Sequence, residues 1–510
     1  MNNDAGLGAR AVRGAVYAAA GRYLVMVTTF VGGIVLRKLA GTEPFGMVAY
    51  AAFIVALFGR VVEWGINQAL IHRQEETEKA SAVALTLYLL GGAAVLSLLL
   101  VAGAVVPGVW PEGRWTPETM TVAYALGVIL FAELIGAVPI ALLERELAFR
   151  RLTILEIVAA VVSTGIAICM AAYGWGVWAI VAWRAASAVL RTAGAWALSP
   201  HRPGLSLSPA EVRWFFRFGL PLWTGSLLFF VATKLNDFLV GTFAGFTRLG
   251  LYSTAFDYAL VPLAVCGVLT RVSLPTYAKA QSDPERLSDA FRLNSRAILF
   301  GTVFLMSGAA LVAPEFFGLI GKDWQGAAPL FRLLALYGIV RPLVDDCGGF
   351  LTAIGRTSAI RNVMIVEAVA TVVLCPISVA FWGATGAALA ADAVILLGLV
   401  LAYAVYVRRL IRISFWDVFS TPLIAGILSV GVAYLLWEAT GLGHRVFALC
   451  FPRLVVQPGE VVRQTMLCVS LVLKGCSVVV LYPLGAFLLG GSGLREEIRS
   501  IYALARSGRR

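Results

Sequence analysis

The segment LAGTEPFG at residues 39–46 has a second copy, FAGFTRLG, at residues 243–250, in a chain made almost entirely of apolar stretches. The glycines that the copies share are Gly41, Gly46, Gly245 and Gly250. Glycine suits a tight turn between two helices, where a Cβ atom would strain the backbone. A motif repeated at this distance indicates that the fold is internally duplicated.

The composition is that of an integral membrane protein. Hydrophobic residues make up 60% of the chain and charged residues 14%, and the mean hydropathy is +0.85. Soluble domains are roughly 45–50% apolar and about 25% charged. The apolar runs are continuous and long enough to cross a bilayer as helices. The sequence therefore predicts an all-α polytopic membrane protein.

Fourteen membrane-spanning segments can be marked along the chain. Six of them separate the two copies of the glycine motif, and an even number returns the chain to the same side of the membrane. The halves are therefore predicted to be parallel repeats, as in transporters built from two like-oriented bundles. The segments are 14–36, 45–70, 80–106, 120–143, 152–172, 175–197, 219–242, 251–275, 294–313, 327–354, 361–380, 384–407, 420–440 and 465–490.

The segments group into two lobes and a C-terminal extension. Residues 1–198 form a predicted N-terminal six-helix lobe, and residues 199–218 form a linker that contains three prolines. Residues 219–412 form the second six-helix lobe. Residues 413–510 add two helices and a basic tail.

The charge distribution predicts the orientation. With a cytoplasmic amino terminus, the 41 Lys and Arg residues divide into 24 in inner loops and tails, 9 in outer loops and 8 within spans. Because cytoplasmic loops are enriched in Lys and Arg, both termini are predicted to be cytoplasmic. The net charge of +12 then reflects topology and contact with anionic membrane lipids, and no nucleic-acid partner is expected.

Several segments together resemble a known transporter family. They are LAGTEPFG at 39–46, FGLPL at 218–222, Asp237 shortly before GTFAG at 241–245, LGLYSTA at 249–255 and LTAIGR at 351–356. Over about residues 10 to 415 the chain is similar to the lipid-linked oligosaccharide flippases, which are polysaccharide transporters of the multidrug/oligosaccharidyl-lipid/polysaccharide exporter superfamily.

This resemblance implies a V-shaped pair of lobes that open alternately to each face of the bacterial inner membrane. The cargo would be an undecaprenyl-diphosphate-linked oligosaccharide, moved from the cytoplasmic to the periplasmic leaflet for cell-surface polysaccharide synthesis. The partners would include polysaccharide polymerases and glycosyltransferases. No cofactor is expected.

Ionisable residues within the spans are the candidates for function. An ionisable group at mid-bilayer costs at least about 2.5 kcal/mol, so each must face a partner, water or cargo. Helical spacing predicts same-helix pairs of Arg60 with Glu63, Lys234 with Asp237 and Arg341 with Asp345. Arg22, Arg184 and Arg271 have no acid three or four residues away.

The family architecture places spans one, two, seven and eight along the cleft between the lobes. It therefore implies four candidate ligands for the cargo diphosphate, whose oxygens suit guanidinium forks: Arg22, Arg60, Lys234 and Arg271. Arg22 is the strongest of them. Glu63, Asp237 and Asp257 could carry protons or bind sodium for coupling, or could pair with cations on other helices.

Structural roles compete with these assignments. Arg60 and Lys234 could belong to structural ion pairs, and Arg271 could snorkel to lipid headgroups. Arg184 is expected to neutralise Glu133 or Glu156. Arg191 and Lys474 are expected to snorkel from the ends of their spans.

Three other functions remain open. A cation-coupled multidrug exporter of the same superfamily is disfavoured because span one carries Arg22 and no acid. A flippase for the peptidoglycan lipid precursor would use similar cargo chemistry. A membrane enzyme of polysaccharide assembly is disfavoured because the chain lacks a Gly-rich phosphate loop, HExxH and GxSxG.

Overall fold

A computed structural model of the 510-residue chain describes residues 2–73, 77–109, 114–439 and 460–507. Helices occupy most of these residues, and no strand occurs among them, which confirms the predicted fold class. The helices of the first half are α1 Asn2–Ala40, α2 Thr42–Glu63, α3 Ile66–His72, α4 Thr77–Val109, α5 Pro117–Arg145, α6 Phe149–Ala172, α7 Val177–Leu198 and α8 Pro209–Ala244. Those of the second half are α9 Phe246–Ala259, α10 Val261–Ala280, α11 Pro284–Ile320, α12 Ala327–Ala353, α13 Thr357–Leu399, α14 Phe415–Tyr434 and α15 Glu460–Ser507.

Within the described ranges, eleven helices are long and apolar enough to cross a membrane, against fourteen predicted segments. One difference arises because the predicted spans 361–380 and 384–407 count as one helix, α13, although Gly383, with φ of 56° and ψ of −134°, breaks the helical backbone between them. Another is that α7 carries Arg184 and Arg191, which lower its hydropathy. The segment predicted at 251–275 is divided between α9 and α10.

The chain forms two compact units, Met1–Gly250 and Leu251–Arg510. In the first unit, α6 packs on α1 and α7, α5 packs on α4 and α7, and α2 packs on α5 and α8. Helix α8 begins at Pro209, within the predicted linker, because proline is well suited to the first turn of a helix. The predicted lobe boundaries remain a prediction.

Glycines end the helices around α2. Gly41 precedes α2 with φ of 83°, and Trp64 and Gly65 follow it with φ of 31° and 66°. These left-handed conformations stop α2 directly after Glu63 and turn the chain into α3. The break leaves Arg60 and Glu63 in the last turn of α2.

In the second unit, α11 packs on α10, α12 and α14, and the C-terminal helix α15 packs on α11 and α14. Lys474 of α15 is buried, and its Nζ lies 2.6 Å from Oε1 of Glu315 on α11. The same carboxylate oxygen accepts a hydrogen bond from Ser470. The expectation that Lys474 snorkels to the headgroups is therefore wrong, because an acid on another helix neutralises it inside the unit.

Candidate functional site

A cavity of about 600 Å³ lies among α1, α2, α5, α6 and α7 of the first unit. Helix α2 contributes only small apolar side chains to its wall, while each of the other helices contributes at least one charged side chain. The charged side chains that line it are Arg22 of α1, Glu133 of α5, Glu156 of α6, and Arg184 and Arg191 of α7. The cavity thus collects three guanidinium groups and two carboxylates from four helices.

Helical spacing explains why α7 supplies two arginines to the same cavity. Arg184 and Arg191 are seven residues apart, which is about two turns, so both lie on one face of the helix. Ser187, one turn after Arg184, lies on that face and also lines the cavity. Arg191 is exposed and also forms part of the cavity wall, and its snorkelling to the headgroups stays a prediction. Arg184 lines the same cavity as Glu133 and Glu156, and its role in neutralising one of them stays a prediction.

Arg22 occupies a comparable position on α1. Its side chain is exposed, and it lines the cavity together with Val25 and Thr29, which follow it at helical spacing on the same face. No acid is close to Arg22 along α1, but the cavity brings it into the same space as Glu133 and Glu156. Its charge can therefore be balanced by these acids or by an anion that enters the cavity.

A second cavity of about 240 Å³ adjoins the first. The two share Leu130 and Glu133, so Glu133 faces both spaces. The second cavity is also lined by Arg60, Glu63, Asn67, Tyr88, Trp223 and Ser226. Arg22 and Arg60, two of the site residues predicted from the sequence, thus line neighbouring cavities. Glu133 lines both cavities.

Arg60 is held in place by several contacts. Its guanidinium lies 2.6 Å from Oε2 of Glu63, and the Nε1–H of Trp223 on α8 donates to its backbone carbonyl. The guanidinium also lies 5.9 Å from the ring centre of Phe230. The side chains of Arg60 and Glu63 are each more than one third exposed, so this pair remains accessible from the cavity.

Lys234 and Asp237 form the second predicted pair, with Nζ and Oδ2 3.4 Å apart on α8. Lys234 lines neither of the two cavities. In the second unit, Asp257 is an exposed residue of α9. Arg271 belongs to α10, but its side chain lies outside the described residues. The roles of these four residues in cargo binding or coupling remain predictions.

A third group of charges lies deep in the second unit. Arg341 of α12 contacts Asp345 at 2.5 Å and Glu367 of α13 at 3.4 Å. The predicted pairing of Arg341 with Asp345 is therefore confirmed, like those of Arg60 with Glu63 and Lys234 with Asp237. The contact with Glu367 could not be read from spacing, because Glu367 lies on another helix.

Asp346 beside this group is fully buried. Its carboxylate accepts hydrogen bonds from Tyr277 at 3.0 Å, Asn294 at 2.7 Å and Ser295 at 2.8 Å. Within the described ranges, no group of three His, Cys, Asp or Glu side chains could hold a metal ion. The charges of both units are thus arranged for ion pairing and hydrogen bonding.

Comparison with protein families identifies the chain. Residues 35–329, more than half of its length, match the family described as polysaccharide biosynthesis protein. The chain belongs to this family. The match covers α2 to α11 and includes both copies of the glycine motif, at residues 39–46 and 243–250.

Characterised relatives agree with the family assignment. The chain is 27% identical over 356 residues to the succinoglycan biosynthesis transport protein ExoT of Rhizobium meliloti, covering 67% of this chain and 69% of the relative. It is 25% identical over 416 residues to the lipopolysaccharide biosynthesis protein WzxC of Escherichia coli, covering 80% and 82%. The first relative is named for transport in succinoglycan biosynthesis and the second for lipopolysaccharide biosynthesis.

A solved structure supports the fold. The structure of the lipid II flippase MurJ in an inward closed conformation aligns with a TM-score of 0.63, covering 92% of this chain and all of the other at 14% identity. At this identity the likeness concerns the fold alone. It agrees with the predicted all-helical fold.

Sequence reasoning identified Arg22 but did not group it with Arg184, Arg191, Glu133 and Glu156. One signal was available, because the seven-residue spacing of Arg184 and Arg191 places both on one face of α7. The contributions of α5 and α6 could not be derived in this way, since the sequence does not state how these helices are rotated about their axes.

Proposed function

We propose that this protein is a flippase that moves an undecaprenyl-diphosphate-linked oligosaccharide from the cytoplasmic to the periplasmic leaflet of a bacterial inner membrane. The observation that carries the proposal is the family match over residues 35–329. The two relatives are named for transport in succinoglycan biosynthesis and for lipopolysaccharide biosynthesis, which supports the same class of cargo. The oligosaccharide would later be joined by a polymerase into a surface polysaccharide.

The charged cavity of the first unit supports binding of a diphosphate. Arg22, Arg184 and Arg191 offer guanidinium groups, which bind phosphate oxygens through paired hydrogen bonds. Glu133 and Glu156 would neutralise these arginines when the cavity is empty. Cargo phosphate would then compete with the two acids for the same cations, and Arg60, Lys234 and Arg271 would supply further contacts.

Transport would occur by alternating access. Two lobes, residues 1–198 and 219–412, would open in turn to each side of the membrane, with both termini in the cytoplasm as the loop charges indicate. Because a ligand shifts a conformational equilibrium only by its differential affinity, the phosphate contacts must weaken in the outward-open state. The coupling ion would be a proton or sodium, with Glu63, Asp237 and Asp257 as candidate carriers.

The proposal can be tested with purified protein in liposomes. We expect movement of a lipid-linked oligosaccharide diphosphate between leaflets, measured by its accessibility to an external enzyme that cleaves the sugar. Reporter fusions after Arg73 and Arg412 should give cytoplasmic signals, and a fusion near Gly245 should give a periplasmic one. The liposome assay measures the flipping activity, and the reporter fusions show which side of the membrane each loop faces.

Each alternative predicts a different outcome. Export of organic cations without movement of lipid-linked sugar would identify a multidrug exporter. Movement of the peptidoglycan precursor in preference to longer oligosaccharides would identify a precursor flippase. Formation or cleavage of a glycosidic bond by the purified protein alone would identify an enzyme. Any of these results would overturn the proposed function.

A further inference from the structure

The two copies of the duplicated motif adopt the same backbone conformation. Gly41, before α2, has φ and ψ of 83° and 179°, and Gly245, before α9, has 89° and 169°. These angles are strained for any residue with a Cβ. The sequence duplication is therefore also a structural duplication, and α2 and α9 begin with equivalent turns.

The two turns also pack against each other, and the contact is reciprocal. A Cβ atom on Gly46 would lie 1.8 Å from the carbonyl oxygen of Phe246, and one on Gly250 would lie 2.0 Å from the carbonyl oxygen of Thr42. Phe246 and Thr42 occupy equivalent positions in the two copies. We call this the outer glycine contact; in it, two helix starts meet backbone to backbone.

Aromatic residues extend the outer glycine contact along α8. Tyr50 of α2 stacks on Phe238 with ring centres 5.4 Å apart, and Phe53 stacks on Phe238 and Phe230 at the same distance. The hydroxyl of Tyr50 lies 3.3 Å from Oγ1 of Thr242. These three stacking contacts hold α2 beside α8 over about one turn of α2.

A second contact between glycines lies at the other end of α2. A Cβ atom on Gly65 would lie 2.8 Å from the carbonyl oxygen of Gly219 on α8, and one on Gly219 would lie 1.9 Å from the carbonyl oxygen of Trp64. We call this the inner glycine contact. It is again reciprocal and again involves the backbones directly.

An ion pair and stacked rings accompany the inner glycine contact. Arg73 makes two hydrogen bonds to the carboxylate of Glu211 at the start of α8, one of them 2.9 Å long. The guanidinium of Arg73 also lies 4.7 Å from the ring centre of Trp214. The ring of His72 stacks on Phe218 at 4.9 Å.

The spacing of the two contacts matches the thickness of a membrane. Gly46 and Gly65 are 19 positions apart along the chain, mostly within α2, which corresponds to about 28 Å at a rise of 1.5 Å per residue. The hydrocarbon core of a bilayer is about 30 Å thick. One contact therefore lies near each surface of the membrane, and the first repeat touches the start of the second repeat at both.

We propose that the outer and inner glycine contacts are the two closures of the transport cycle, and that one must separate before cargo can leave or enter on that side. This inference rests on the proposed alternating-access function and on the assignment of α8 and α9 to the second repeat. In this structure both contacts are formed, and both lie within the first unit.

The physical reason for glycine is the distance of approach. Small residues allow helix backbones in a membrane to come into direct contact. Because each contact needs two glycines and no side chain fits between them, a single methyl group prevents its formation.

Crosslinking at each end tests the proposal. In a variant lacking the seven native cysteines, Tyr50→Cys with Thr242→Cys would bridge the outer closure, and Arg73→Cys with Glu211→Cys would bridge the inner one. A cleavable methanethiosulfonate crosslinker should stop flipping in either pair, and a reductant should restore it. Thr192→Cys with Ala132→Cys, a contact between α7 and α5, should leave flipping unchanged after crosslinking.

Alanine variants give a readout that needs no cargo. Gly46→Ala or Gly250→Ala should lower crosslinking of the outer pair about tenfold, equivalent to about 1.4 kcal/mol, and leave the inner pair crosslinked. Gly65→Ala or Gly219→Ala should do the reverse. Gly225→Ala, on α8 between the two contacts, meets no atom within 4 Å and should change neither.

The outcomes separate this proposal from the proposed function. Full flipping with either closure crosslinked would show that the contacts are permanent packing and would overturn the proposal. Equal loss of both crosslinks in every glycine variant would overturn it too, because it would indicate general misfolding and not independent closures. If the glycine variants change crosslinking as expected but no lipid-linked sugar moves, the assignment of the two contacts as closures is upheld. The assignment of the cargo is then wrong.

Discussion

The charged residues of the two units are used differently. In the first unit, Arg22, Arg184 and Arg191 line a cavity with two acids, and Arg60 and Glu63 line its neighbour. In the second unit, Arg341 is buried against Asp345 and Glu367. Charges of the first kind can exchange a protein partner for water or cargo, whereas those of the second kind can only hold helices together. The same residue types thus indicate function or stability according to the space beside them.

The largest expected effect on stability follows from the buried group. Arg341→Ala removes the cation between Asp345 and Glu367 and leaves the buried Glu367 carboxylate without it. Breaking a buried ion pair in this way costs about 3–5 kcal/mol. We expect a strong fall in folded protein and in resistance to unfolding by detergent, measured by size-exclusion chromatography and a denaturant titration. Unchanged stability would contradict the distinction between the units.

A combined variant would sharpen this prediction. Replacing Arg341, Asp345 and Glu367 together by apolar residues of similar volume removes all three charges at once. Because the buried charges no longer need to be desolvated, such replacements are often neutral or stabilising. Folded yield should therefore recover relative to Arg341→Ala alone. A combined variant as unstable as the single one would show that the ion contacts themselves hold α12 and α13.

The smallest expected effect on stability concerns the pair in the cavity. Arg60→Ala removes an ion pair whose two side chains are 38% and 39% exposed. Pairs that reach solvent contribute about 0–1 kcal/mol. The same denaturant titration should therefore give a midpoint close to that of the wild type, even if transport falls. A loss as large as that of Arg341→Ala would place Arg60 among the structural charges.

Much of the fold could be predicted from the sequence because membrane helices are specified by local composition. Continuous apolar runs fixed the helices, and the repeated glycines marked the turns before α2 and α9. Helix breaks were harder to place. The break at Gly383, between the predicted spans 361–380 and 384–407, was placed correctly. The break at Leu260, which separates α9 from α10 inside the predicted span 251–275, does not follow from hydropathy.

The candidate site was predictable only where it depends on one helix. Spacing along a helix gave the pairs of Arg60, Lys234 and Arg341, since residues three or four apart are neighbours. Partners on other helices were not accessible in this way. The pairing of Lys474 with Glu315 depends on which face each helix turns to its neighbours. The same is true of the position of Arg191 in the cavity that Arg22 lines. That rotation is decided by packing over the whole unit.

The measurement that tests the central claim most directly is flipping by Arg22→Ala, normalised to folded protein in the same membranes. Arg22 lines the cavity with Glu133 and Glu156 but is exposed to its interior, so we expect near-normal folded yield and loss of transport of the lipid-linked diphosphate. Arg22→Lys should retain part of the activity, since a point charge replaces the bidentate fork. Full transport in Arg22→Ala, or a loss that only follows a loss of folded protein, would contradict a role for this cavity in binding cargo.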